Sequence, residues 1–118
     1  MQFLLLATQR GLVVSRPSIQ STIYDFLVDN SKRILRIQVK SNFGDPDSSG
    51  SGYGLNLSNN AGAYSPDDID IVACYLGKLG IWYFFPIKAL DEKLKITVYP
   101  DGTESKWNKY MESWRVLF

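Results

Sequence analysis

A chain of 118 residues that is 45 % hydrophobic and 14 % aromatic can fill one core and is too short for two ordinary domains, so a single domain over 1–118 is expected. Its 13 basic and 12 acidic side chains leave a formal charge of +1, so any DNA affinity has to come from local patches rather than from overall charge. Histidine is absent, which excludes histidine general bases, histidine metal sites and Ser-His-Asp catalysis, and the lone Cys74 reads as a buried reduced thiol with no internal disulfide partner.

In chain order, residues 1–10 read as a helix with an apolar surface from Phe3 to Ala7 and a stop at Gly11. That apolar run is too short and lacks the basic leader of a signal peptide, and no run reaches the about 18 residues that span a membrane. A cytoplasmic, nucleoid-associated protein is the expectation. Residues 12–15 form a brief strand that ends at Arg16-Pro17, because proline biases the preceding residue away from helical dihedrals. Arg16 is a candidate phosphate contact; its plainer reading is a solvated charge. Residues 24–41, YDFLVDNSKRILRIQVKS, read as two strands joined by a polar turn at Asp29, Asn30, Ser31 and Lys32.

After Ser41 the composition changes. Residues 42–63 are rich in Gly, Ser and Asn, and no Lys or Arg lies between Lys40 and Lys78, which predicts a long loop or β-hairpin. Tyr53, Leu55 and Leu57 alternate with Gly54, Asn56 and Ser58, the pattern of a strand. Tyr53, Asn56 and Ser58 are candidate DNA-reading residues, since Asn and Ser can hydrogen-bond base edges in the major groove. An excursion without a fixed structure is the other reading. Ser65-Pro66-Asp67-Asp68 reads as a capped single helical turn, with the acids serving capping and solvation. A strand follows from Ile69 to Leu76, then a turn at residues 77–80 and a strongly apolar strand from Ile81 to Phe85, expected to be central in the sheet or at a subunit interface. Residues 87–90 suggest a helical turn, residues 94–99 an alternating strand, and Pro100-Asp101-Gly102 a turn. Trp107, Met111, Trp114 and Leu117 recur at i, i+4, i+7 and i+10 and predict a C-terminal helix over 105–117.

The chemistry concentrates in the first hairpin. Leu35, Ile37 and Val39 alternate with Arg36, Gln38 and Lys40, so Gln38 and Lys40 project from one face and the hairpin brings Asp25 alongside them. A carboxylate and an amide oxygen are hard ligands suited to Mg²⁺, which keeps several waters, and a lysine beside them can orient or help deprotonate a water. Metal-dependent phosphodiester hydrolysis follows from that set. The blander reading of the same residues is a surface hairpin with ordinary polar alternation.

YDFLVD with LRIQVKS, supported by GLVVSRP upstream and by YSPDDIDIVACYLG and IWYFFPI downstream, resembles the core of the PD-(D/E)XK, or restriction-fold, nucleases. Within them it is most similar to the bacterial group I intron-encoded homing endonuclease in which Gln replaces the second acid. The resemblance implies an α/β domain with a restriction-endonuclease-like core, a mixed central sheet flanked by helices. It implies catalytic roles for Asp25, Gln38 and Lys40, with Asp25 and Gln38 as the metal ligands and Mg²⁺ as the cofactor, Mn²⁺ substituting. It also implies site-specific double-strand cleavage of an intron-lacking allele, double-stranded DNA as partner, and a homo-oligomer, dimer or tetramer. Tyr24 stands where the motif name places proline. The family's first-helix Glu falls at or just before Met1, with Gln2 the nearest polar candidate. A Holliday-junction resolvase, which normally has Glu where this chain has Gln38, and a non-catalytic DNA-binding derivative are the alternatives.

Overall fold

The structure is a computed structural model that describes residues 2–18, 23–48, 50–59, 62–102 and 105–118. Helix α1 (Gln2–Gln9) ends as its sequence predicts: Gly11 takes φ +85°, its N–H reaches the Thr8 carbonyl and the Leu12 N–H reaches that of Ala7, a Schellman closure. Strand β1 (Val13–Ser15) pairs antiparallel with β2 (Phe26–Asp29), and β2 pairs antiparallel with β3 (Ile34–Asn42). The turn between β2 and β3 closes on side chains. Asp29 Oδ1 accepts the Ser31 N–H, Asn30 Oδ1 accepts those of Lys32 and Arg33, and Ser31 sits at φ 74°.

Beyond β3 the chain forms β4 (Tyr53–Asn56) and the small antiparallel pair β5 (Ser58–Asn59) and β6 (Gly62–Ala63). It then returns through β7 (Ile71–Leu76), β8 (Ile81–Pro86), α2 (Ile87–Leu90) and β9 (Lys95–Val98). The main sheet runs β1-β2-β3-β7-β8, with β3 and β7 parallel and the other neighbours antiparallel, while β4 pairs with β9 in a separate ribbon. Each face of this mixed sheet buries its own apolar set. Phe26, Val28, Leu35, Ile37, Ile71, Ala73, Trp82 and Phe84 pack against α1, Trp114 and Leu117 on one side. Val72, Cys74, Leu76, Tyr83 and Phe85 pack against Tyr53, Leu55, Ile96 and Val98 of the ribbon on the other. At position 52, just before β4, a Cβ would crowd the Asp47 carboxylate, Tyr99 Cε1 at 2.8 Å and Thr97 Cγ2 at 2.9 Å, so a larger residue there would have to displace those side chains.

Two expectations change. The predicted C-terminal helix is instead two 3₁₀ turns, Asn108–Tyr110 and Trp114–Leu117, separated by a bridge at Met111 and by Glu112 at φ 51°. The 3.6-residue spacing misled because Trp107 and Trp114 anchor on opposite faces of the sheet rather than on one stripe. The aromatic strand β8 is not central; it lies at the edge of the sheet, and its burial comes from cover on both faces and from a seal along its outer edge. In that seal the Glu112 N–H donates to the Trp82 carbonyl (2.7 Å), and the Glu112 carboxylate accepts the Trp82 N–H (2.7 Å) and the Trp114 indole N–H (3.2 Å). The strand expected from the alternation of Tyr53, Leu55 and Leu57 is present as β4 and the residue after it, with all three side chains in the core; Ser49, Asn60 and Ala61 of the Gly/Ser-rich stretch, like Met1 of the first helix, lie outside the described residues.

Candidate active site

Asp25 stands immediately before β2, where its N–H donates to the Ile37 carbonyl at 2.8 Å. Phe26 is already paired with Ile37, so this bond goes to the same residue and the regular antiparallel pairing ends there, with Asp25 just past its end. Asp25 Oδ2 accepts the Val39 N–H at 2.9 Å, so the carboxylate lies against the backbone that joins Gln38 to Lys40. Parallel pairing on the other side of β3 sets Gln38 opposite Val72 and Lys40 opposite Cys74, on the face that the ribbon covers. Asp25 is exposed, and Gln38 and Lys40 are half-buried. Asp25 is thus tied to the strand that carries Gln38 and Lys40 through the Val39 N–H between them.

Gln38 Oε1 is buried and accepts no hydrogen bond, while its amide nitrogen reaches only the Val39 carbonyl at 3.5 Å. An orphaned amide oxygen and a carboxylate are each donors that suit a hard cation such as Mg²⁺, which keeps several waters. Among the described residues no cluster of three or more carboxylate, histidine or cysteine side chains is present. Lys40 Nζ lies 5.7 Å from the centroid of the Tyr64 ring. Burial pushes the neighbouring Cys74 thiol up to about 12, against a smaller opposing pull from the Lys40 charge, which makes it a structural thiol rather than a nucleophile.

Arg36, two residues before Gln38 on the same face, forms a clamp. Its Nε and Nη2 donate to Asp70 Oδ2 and Oδ1, each at 3.1 Å, and its backbone N–H donates to Asp70 Oδ2 at 2.7 Å. Its remaining donors reach the carbonyls of Asp67 (2.5 Å) and Pro66 (3.1 Å). Partial burial opposes ionisation of Asp70, but the Arg36 hydrogen bonds and charge outweigh it and hold the carboxyl below its ordinary range. The pair fixes the start of the parallel β3–β7 seam.

The other candidates are placed less alike. Arg16 is exposed, and its guanidinium lies 5.3 Å from the centre of the Phe26 ring, one residue from Asp25. Tyr53, expected among the DNA-reading residues, is 8 % exposed and belongs to the core, because the alternation that marked a strand also turned it inward. Asn56 is exposed and Ser58 partly so, with Asn56 Oδ1 accepting the Ser58 N–H (3.1 Å) and hydroxyl (2.8 Å). Gln2 is not with Gln38 and Lys40: it lines a hollow with Val39 and Ser41 on the α1 side of the sheet. Sequence reasoning passed over Arg36 and Tyr64. The period-two alternation already put Arg36 on the Gln38 face; Tyr64, separated from Lys40 by the Gly/Ser-rich stretch, gave no such signal.

A mixed five-stranded central sheet with few helices defines a restriction-endonuclease-like fold. The family described as PD-(D/E)XK endonuclease matches residues 2–117, and the chain belongs to it. Among solved structures, a bacterial homing endonuclease, I-Ssp6803I, is similar with a TM-score of 0.79 at 21 % identity, over 98 % of this chain and 82 % of that one. Hjc, a Holliday junction resolvase of the archaeal hyperthermophile Archaeoglobus fulgidus, is similar with a TM-score of 0.62 at 20 % identity, over 98 % and 89 %. No curated protein sequence matches the chain.

Proposed function

We propose that this chain is a Mg²⁺-dependent, site-specific DNA endonuclease that makes double-strand breaks, as intron homing requires. The observation that carries the reading is the Asp25 carboxylate bonded to the backbone between Gln38, with its orphaned oxygen, and Lys40. Asp25 and Gln38 would hold the cation. When bound, Mg²⁺ lowers the pKa of a water and screens the phosphate charge, and Mn²⁺ is expected to substitute. Lys40 orients the attacking water and carries positive charge toward the scissile phosphate. Arg16, beside Phe26, is a phosphate contact at the same edge, and Asn56 and Ser58 are candidates to meet the bases. One site per chain cuts one strand, so a double-strand break needs at least two subunits related by symmetry. A homo-oligomer acting on duplex DNA in the cytoplasm follows.

The test is cleavage of a randomised plasmid library in Mg²⁺ with the cut ends sequenced, beside Lys40→Ala and Asp25→Asn. The expected result is a recurring cut sequence, with the rate reduced at least about a hundredfold in either variant. Variants that cut like the parent would overturn the assignment of roles, and tight duplex binding with no nicking in Mg²⁺ or Mn²⁺ would make the protein a binding derivative. The likeness to Hjc supports a second reading, a junction resolvase; preferential cutting of four-way junctions over linear duplex would select it.

A further inference from the structure

Tyr64 directly follows β6, and its N–H reaches back to the Leu57 carbonyl at 3.4 Å. It is 5 % exposed and packed in the ribbon-side core. The turn after it is fixed twice over. Ser65 Oγ accepts the Asp67 N–H at 3.1 Å, and the Arg36 guanidinium holds the carbonyls of Pro66 and Asp67. The ring therefore has little freedom, and the Lys40 ammonium lies 5.7 Å from its centroid, inside the range of about 6 Å over which a ring quadrupole attracts a cation. Among the described residues the ion pairs are Arg36 with Asp70 and Lys78 with Asp45, and Lys40 enters neither. A carboxylate partner would pin this ammonium but also neutralise it. A π-face pins it and leaves the charge available.

We propose that Tyr64 is a positioning residue whose ring face seats the Lys40 ammonium on the strand face that also carries Gln38, without tying it into an ion pair. The inference rests on the nuclease reading above and deepens it: the segment that carries β5 and β6 is tied to the reacting end of Lys40 through one ring. Without that ring the lysine's four-carbon stem would spread the ammonium over several positions, and fewer would face the attacking water.

Substitutions at position 64 separate the face of the ring from its bulk. Tyr64→Phe keeps the face, Tyr64→Leu removes it, and pentafluorophenylalanine at the same position keeps the volume while reversing the quadrupole. Single-turnover cleavage in Mg²⁺ and duplex Kd are measured for each, with thermal unfolding as the control for folding. Cleavage within about twofold of the parent is expected for Tyr64→Phe, and about five- to tenfold slower cleavage at unchanged Kd for the other two. A pentafluoro variant as fast as Tyr64→Phe would overturn the proposal, and it remains decisive if Tyr64→Leu does not fold. The Lys40 ε-methylene protons give a readout independent of cleavage: ring current moves them upfield in the parent relative to Tyr64→Leu. Equal shifts in the two proteins would sink the seat even if cleavage by the parent depends on Lys40. An upfield shift beside a fully active Lys40→Ala would instead leave the contact standing and remove the nuclease role assigned to Lys40.

Discussion

Leaving a buried amide oxygen without a donor costs about 1–3 kcal/mol, and Gln38 carries such an oxygen at the edge of the site. Leucine in its place would remove the orphan and add apolar contact. Gln38→Leu is therefore expected to raise the unfolding temperature of the metal-free protein, by about 1 kcal/mol of stability, while Mg²⁺-dependent cleavage is lost. Gln38→Glu makes the opposite trade: a second carboxylate beside Asp25 raises affinity for Mn²⁺ in calorimetry and lowers stability without metal, since two like charges then share the site. Stability and metal binding that moved together in these variants would contradict a role for Gln38 as ligand.

Two polar devices act at the scale of whole elements. The first is the Arg36–Asp70 clamp at the start of the β3–β7 seam. Because the folded-state pKa of Asp70 is depressed, the clamp's contribution is fully present above the unfolded carboxylate pKa of about 4 and is lost as pH falls through the lower folded value. Asp70→Asn should unfold at a clearly lower temperature than the parent at pH 7, by about 2 kcal/mol, with the gap closing toward pH 3. A gap that is independent of pH would assign its cost to packing instead. The second device is Glu112, which holds both the backbone and one side chain along the outer edge of β8. Glu112→Ala removes both carboxylate contacts and leaves a non-glycine residue at φ 51°, so a loss of about 2 kcal/mol is expected in denaturant unfolding, and Glu112→Gly should recover part of it. The sequence made the β2–β3 hairpin and the Gly11 helix stop legible because each depends on residues close in the chain. It hid what long-range packing decides: that the aromatic strand lies at an edge, that Trp107 and Trp114 serve different cores, and that Tyr64 returns to Lys40 across the Gly/Ser-rich stretch.

At the scale of the molecule, the sheet is a partition between two apolar clusters, and β7 serves both. Ile71 and Ala73 face α1, and Val72, Cys74 and Leu76 face the ribbon. The short C-terminal segment 105–118 joins them, with Trp107 lodged on one side and Trp114 and Leu117 on the other, so the two clusters are expected to melt in a single transition. Cys74 sits on this partition, opposite Lys40 and fully buried, with a thiol held up to about 12. The chain thus carries its own clock for the opening of the seam on which the site is built. A thiol-alkylating reagent at pH 8 can react only when that seam parts, and the slowing relative to a free thiol gives the opening equilibrium. Protection equal to the global unfolding free energy is expected, and faster labelling of the folded protein would reveal a seam that breathes on its own.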